Sequence, residues 1–296
     1  MCGIVGLFLK DPALEPRLGA LMAGMLGTMT DRGPDSAGFA VYGAPAEGAK
    51  ITLRGPDAAG LEAAVAALQV ALGLTLASQA RDTHTVLVAP EGREGEIRAW
   101  LAAHPGIDVV GSGQRMEIYK EVGLPAEVAR RFSLSAMAGT HGIGHTRMAT
   151  ESAVTTNGAH PFSTGPDQCL VHNGSLSNHN ALRRTLRREG LTFATDNDSE
   201  VAAGYLTWRM REGASLKGAL EASLSDLDGF FTFVVGTQDG FAVLRDPIAC
   251  KPAIMAETDA WVAFGSEYRA LVGLPGIEGA RVFEPEPATV YAWERG

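Results

Sequence analysis

The sequence predicts a protein of mixed helix and sheet whose strands pair mainly antiparallel. Short apolar runs alternate with segments of helical period along the chain. Two pairs of strand-like runs are joined by tight polar turns, "TQDG" and "ETDA", the spacing of hairpins. The elements do not repeat as strict strand–helix–strand units, which argues against a doubly wound parallel sheet.

Taken in order, "CGIVGLFL" reads as a buried strand and "LEPRLGALMAGMLGTM" as a helix with apolar residues at helical spacing. "DRGPDSAG" is a turn cluster, and "FAVYG" a second strand. Between residues 45 and 135 the character changes. There "KITLRG", an Ala-rich helix, "HTVLVAP", "GEIRAWLAAH", "GIDVVGSG" and "MEIYKEVG" alternate strand and helix, as expected of an α/β lobe inserted in a single domain over 1–296. Strands resume at "THGIGHTRMAT" and "QCLVHNGSLS", followed by helices at "NHNALRRTLRREG" and "DSEVAAGYLTWRMREG". The last third reads mostly as strands, with "GSEYRALVGL" a short helix between them.

Composition sets bounds. At 296 residues, 46% hydrophobic and 20% charged, the chain has the profile of a soluble globular protein with an ample core. A net charge of −9 lacks the electrostatic footprint of a phosphate-backbone partner, so no nucleic acid is expected. Three scattered cysteines, Cys2, Cys169 and Cys250, fit a reducing, cytoplasmic compartment better than a disulfide scaffold. No membrane span is expected: the longest apolar stretch, "AAGLEAAVAALQVALGLTLA", carries Glu62 and Gln69. No signal peptide is expected either, which leaves Cys2 close to the N-terminus. Methionine aminopeptidases generally remove Met1 before a small residue, and Cys2 would then carry both a thiol and a free α-amine.

That pairing is chemically self-sufficient. The α-amine, with an ordinary pKa of roughly 7.7 to 8.0, can take the thiol proton without a separate histidine. A small buried residue at a strand start is the plainer reading of "MC" alone. Arg147 in "GHTRMAT" ends a glycine-bearing strand, where a guanidinium can meet a carboxylate or form a surface ion pair. Asn173-Gly174 in "VHNGSLSN" offers a side-chain amide and a backbone N–H suited to an oxyanion, or else a turn. Asp198 in "TDNDSEV" opens a helix, where it can pair with an ammonium or simply sit in the first turn. His141 and His145 lie four apart, but "HGIGH" is strand-like, so that spacing is poor for chelation and no metal site is expected. "GSGQR" lacks a full phosphate-loop pattern and reads as a turn.

Taken together, "CGIVG", "DRGPDSAG", "GHTRMATES…NGAHPF", "LVHNGSLSN" and "TDNDSEV" occur in the order found in class II glutamine amidotransferases, the N-terminal-nucleophile glutaminases, and "RDPIACKP" and "FGSE" resemble that domain's closing motifs. The likeness covers about residues 1–44 and 136–270. It implies an α+β fold, a four-layer αββα sandwich, with the 45–135 insertion packed as a lobe. It also implies a nucleophile at Cys2, an oxyanion hole at Asn173 and Gly174, and glutamine binding by Arg147, Thr150 and Asp198. Arg32 and Asp35 match a supporting motif, and His160 in "AHPF" a structural element. Two positions depart from the pattern: Met148, often aromatic, and Ala249, usually glycine.

The stand-alone length and "EIYKEVGLP…GIGHTRMATESAVTT" resemble the small amidotransferase components of glutamate-synthase-like complexes, the group that holds GlxB and the glutaminase-type component of N-methylglutamate synthase. About 25 residues follow the last motif, so the acceptor synthase is expected on another chain, in a hetero-oligomer. The resemblance places flavin and an iron–sulfur cluster on such partner subunits and no cofactor on this chain. The competing expectation is a non-catalytic assembly or regulatory subunit that keeps the glutaminase fold. An acylase acting on another amide would leave Arg147 and Asp198 without a substrate partner.

Overall fold

The computed structural model describes residues 2–149 and 153–295. Along the chain come β1 (Gly3–Leu9), α1 (Leu18–Gly27) and β2 (Ser36–Tyr42). Next are β3 (Gly48–Arg54), α2 (Ala58–Leu72), β4 (Ala77–Arg81), β5 (His84–Pro90), α3 (Glu94–Ala102) and β6 (Asp108–Gly113). Then follow β7 (Met116–Val122), α4 (Pro125–Arg131), β8 (His141–Arg147), β9 (Phe162–Gly165) and β10 (Gln168–Leu176). Three helices come next: α5 (His179–Arg188), α6 (Asp198–Arg211) and α7 (Leu216–Asp226). The chain closes with β11 (Gly229–Gly236), β12 (Gly240–Arg245), β13 (Ile254–Glu257), β14 (Trp261–Gly265), β15 (Arg281–Phe283) and β16 (Val290–Glu294).

Two antiparallel sheets stack face to face. One has seven strands in the order β15-β13-β14-β1-β8-β2-β7, the other five in the order β16-β12-β11-β10-β9. The central strand β1 shows why: its residues are buried throughout and alternate between two cores. Ile4 and Phe8 pack inward with Ile143, Val171, Val234 and Phe241 between the sheets. Val5, Leu7 and Leu9 face outward against Leu18, Met22 and Met25 of α1. On the far side, Leu170, Phe231 and Leu244 of the second sheet meet Leu186 of α5, Val201 and Tyr205 of α6 and Leu220 of α7. Helices therefore cover both outer faces, giving the αββα sandwich.

A separate four-stranded sheet, β4-β5-β3-β6, carries α2 and α3 on its own core of Ile51, Leu53, Leu61, Leu68, Leu87 and Ile97. The residues expected in the 45–135 lobe therefore divide. Residues 48–113 build this extra sheet and its helices, whereas β7 pairs with β2 from Ser36↔Val122 to Tyr42↔Met116 and α4 packs beside α1. Two other elements differ from the expectations of the sequence. "SLKGALEASLSD", unassigned between the helix at "DSEVAAGYLTWRMREG" and the strands of the last third, forms α7, and "GSEYRALVGL" yields only a 3-10 turn at Tyr268–Ala270. Among the described residues no helix is long and apolar enough to cross a membrane.

Candidate active site

Gly3 of β1 pairs with Thr146 of β8, which sets Cys2 and Arg147 side by side at the same end of adjacent strands. From the facing sheet, β10 brings Asn173 and Gly174, opposite Thr232 and Phe231 of β11. Asp198 opens α6. These five residues line one cleft of about 600 Å³. Thr150, the sixth expected site residue, lies outside the described residues.

Each is held by identifiable contacts. Cys2 is partly exposed, and its carbonyl oxygen accepts from Asn173 Nδ2 at 3.3 Å and from Arg32 Nε at 3.0 Å. Arg32 is fixed in turn by Glu267, with Nη1 to Oε1 at 2.7 Å, and the Glu267 carboxyl is held below the usual range by that hydrogen bond with help from Arg269. Ser266 beside it accepts from Ile4 N at 2.9 Å and donates its own backbone N–H to the Ile4 carbonyl. "DRGPDSAG" and "FGSE", far apart in sequence, thus anchor the first strand together.

Asp35 of the same turn bonds the backbone around Arg147: its N–H donates to the Arg147 carbonyl at 3.1 Å, and its Oδ2 accepts from Ala149 N at 2.8 Å. Arg147 itself is buried, with Nη1 donating to the Ala153 carbonyl at 3.4 Å. A Cβ at Gly174 would lie 2.0 Å from the Phe230 carbonyl oxygen, so only glycine lets β10 approach β11 here.

Asp198 sits in the first turn of α6, with its side chain at the cleft. Its Oδ2 accepts from Leu176 N at 2.9 Å, tying α6 to the end of β10, while Asn197 caps the helix by accepting from Ser199 N at 2.8 Å. The carboxylate still borders the cleft, 21% exposed. His172 Nδ1 stands 3.9 Å from Asp198, yet burial holds this imidazole below the ordinary histidine range despite the carboxylate. His172 Nδ1 also bonds Ser199 Oγ at 2.8 Å.

Three further histidines and the other two cysteines lie elsewhere in the sandwich or at the edge of the cleft. His141 donates through Nε2 to the Thr237 carbonyl at 2.9 Å, and His145 through Nε2 to the His172 carbonyl at 3.0 Å. His160 stacks on His145 with ring centroids 4.0 Å apart. Among the described residues no group of three or more His, Cys, Asp or Glu is arranged to hold a metal. Burial pushes the Cys169 thiol up to about 12, so it stays protonated beside Tyr42. Cys250 is exposed and lies outside the cleft.

Comparison with known proteins places the chain in a family. The model of the "Glutamine amidotransferase domain" family matches residues 145–273, the stretch from His145 and Arg147 through Glu267. Across 99% of its length the chain is 63% identical to the glutamine amidotransferase-like protein GlxB of Rhizobium meliloti, covering 98% of that protein. The chain belongs to the glutamine amidotransferase family. Over 55% of its length this amidotransferase is also 35% identical to glutamine–fructose-6-phosphate aminotransferase of Vibrio vulnificus, of which it covers 26%. Its fold matches the structure of the allosteric regulatory enzyme of purine biosynthesis with a TM-score of 0.65 at 21% identity, over 99% of this chain and 47% of that one. This amidotransferase thus spans about half the length of that solved enzyme.

Residue types alone did not single out Glu267 or Ser266. Their signal was the "FGSE" motif, and their role emerges only when the fold sets them against Arg32 and Ile4.

Proposed function

We propose that this amidotransferase hydrolyses the side-chain amide of L-glutamine with Cys2 as nucleophile, as the glutaminase subunit of a glutamate-synthase-like complex of the N-methylglutamate synthase kind. The observation that carries the first part is the convergence of Cys2, Arg147 and Asp198 on one cleft, with the Asn173 amide against the Cys2 carbonyl. A guanidinium and a carboxylate lining the same cleft match the α-carboxylate and α-ammonium of a free amino acid.

Once Met1 is removed, the Cys2 α-amine takes the thiol proton. The thiolate attacks the amide carbon, a C–S bond forms, and the carbonyl electron pair moves onto oxygen, where the Asn173 amide and Gly174 N–H stabilise it. Collapse breaks the C–N bond, and ammonia leaves with the proton returned by the α-ammonium. Water then attacks the thioester, the α-amine takes its proton, and the thiol leaves, so glutamine and water give glutamate and ammonia.

The resemblance of "EIYKEVGLP…GIGHTRMATESAVTT" to the amidotransferase components of glutamate-synthase-like complexes supports a role beside synthase subunits, with the acceptor chemistry and its cofactors on those partners. Two measurements test the reading. Glutamate release from L-glutamine should exceed release from simple amides lacking the α-carboxylate, and Cys2→Ala should abolish it. Equal rates on simple amides, or activity retained in Cys2→Ala, would overturn it. In native extracts the chain should migrate with larger partners; purification as a lone active monomer would remove the complex.

A further inference from the structure

One wall of the cleft is a strap, residues 153–161, with no regular secondary structure. Its Ala153 carbonyl accepts from Arg147, and a Cβ at Gly158 would sit 3.1 Å from Arg147 Nη1, so the strap shapes the space around the guanidinium. A segment without a ladder of its own keeps its place only through side chains that bind it.

Two adjacent residues of β7 do this. Lys120, 7% exposed, donates from Nζ to the carbonyls of Ala159 at 2.9 Å, Pro161 at 3.3 Å and Asn157 at 3.4 Å, which uses all three of its N–H groups. Its ammonium also lies 4.6 Å from the centre of the Phe162 ring. Glu121, equally buried, accepts from Thr156 Oγ1 through one oxygen and from Thr83 Oγ1 at 3.2 Å through the other. Thr83 sits on the β4–β5 turn of the inserted sheet, and from β3 of that sheet Arg54 donates to Asn157 Oδ1 at 3.4 Å. The strap is therefore clamped between β7 and the inserted lobe. A lysine this deep is costly unless its N–H groups are hydrogen-bonded, and here the acceptors are the strap's own carbonyls, with Glu200 and Asp108 the carboxylates that favour its charge.

We propose that Lys120 and Glu121 are positioning residues that hold the 153–161 strap against Arg147, so that the inserted lobe sets the affinity of the cleft for glutamine. The inference rests on the glutamine reading above and gives the lobe a task within it.

The test uses the full chain and 6-diazo-5-oxo-L-norleucine, a glutamine-like alkylating agent, and reads its half-saturating concentration and limiting rate of Cys2 labelling. Lys120→Met should raise the half-saturating concentration about tenfold while the limiting rate stays within about threefold, because strap geometry acts on binding and not on the thiol. Glu121→Gln should act in the same direction, Arg54→Met by about threefold, and Lys120→Arg should recover part of the loss. Hydrogen exchange should speed up at 156–162 in Lys120→Met and stay unchanged in β1 and β10. An unaltered half-saturating concentration in Lys120→Met and Glu121→Gln, or faster exchange across the whole sandwich, would overturn the proposal. Labelling that never saturates in the unsubstituted protein would instead remove the glutamine reading, so the two failures are distinct.

Discussion

Arg32 and Cys2 are joined through the backbone: the guanidinium Nε donates to the Cys2 carbonyl at 3.0 Å, and its Nη1 is held by Glu267 at 2.7 Å. The residue proposed as nucleophile is thus positioned by an arginine thirty residues on, braced by an acid from the far end of the domain. Arg32→Met removes the donor and leaves Glu267 paired with Arg269. Glutamine kcat/KM should fall by about ten- to a hundredfold, with unfolding stability lowered by about 2 to 3 kcal/mol, since the bond to the Cys2 carbonyl and the ion pair with Glu267 are both lost. Steady-state kinetics beside urea unfolding checks the split.

Arg147 and Asp198 are expected to hold the α-carboxylate and the α-ammonium, the two charges on the substrate's α-carbon, while Cys2 meets the side-chain amide. Losing either buried charge contact costs on the order of 2 to 5 kcal/mol, so Arg147→Ala and Asp198→Asn should each lower kcat/KM by about thirtyfold or more. Asp198→Asn keeps a side-chain oxygen to accept from Leu176 N, so its fold should hold and its defect should show in kinetics alone. Circular dichroism matching the parent with a reduced kcat/KM is the expected result.

Ala249 adopts φ +50°, the left-handed region, where the related motif usually has glycine. The loop is set by Asp246 Oδ2, which accepts from Ile248 N at 2.8 Å and Ala249 N at 3.3 Å. Ala249→Gly removes the Cβ penalty but adds freedom to the unfolded chain, so a net gain of up to about 1 kcal/mol is expected. Thermal unfolding compared between the two proteins measures it.

Acid should destabilise the fold through its buried histidines. His84, His141 and His145 are each held down to about 3 by burial, against about 6.5 when unfolded. Between those values the unfolded chain binds more protons than the folded one. Stability is therefore full above about pH 6.5 and falls with acid, by up to about 1.4 kcal/mol per pH unit for each histidine. Urea midpoints taken from about pH 7.5 to about pH 5 should decline, and His141→Gln should flatten the slope.

Much of this molecule is legible in short stretches of sequence. The β1, β8 and β10 runs are apolar and bounded by turn residues, so the motifs that end them fall where a strand-end site needs them. What escaped is non-local. β7 has the alternation of a strand, but nothing in "MEIYKEV" says that its partner is β2 and not the inserted sheet. Helix α7 carries a local signal, with Ser215 capping and Leu216, Ala219, Leu220 and Ser223 buried at helical spacing, but it is a short stretch between α6 and β11 to which the sequence reading assigns no element. Lys120 binds carbonyl oxygens, and a carbonyl has no signature in a sequence.

The central claim is that the Cys2 thiol is a glutamine-directed nucleophile. Intact-mass spectrometry before and after 6-diazo-5-oxo-L-norleucine, with Cys2→Ala as control, tests it most directly. The account predicts a protein lacking Met1 and a single adduct on Cys2 that glutamine suppresses. Retained Met1, or no adduct on Cys2, would contradict it and favour an assembly component that keeps the fold without the chemistry.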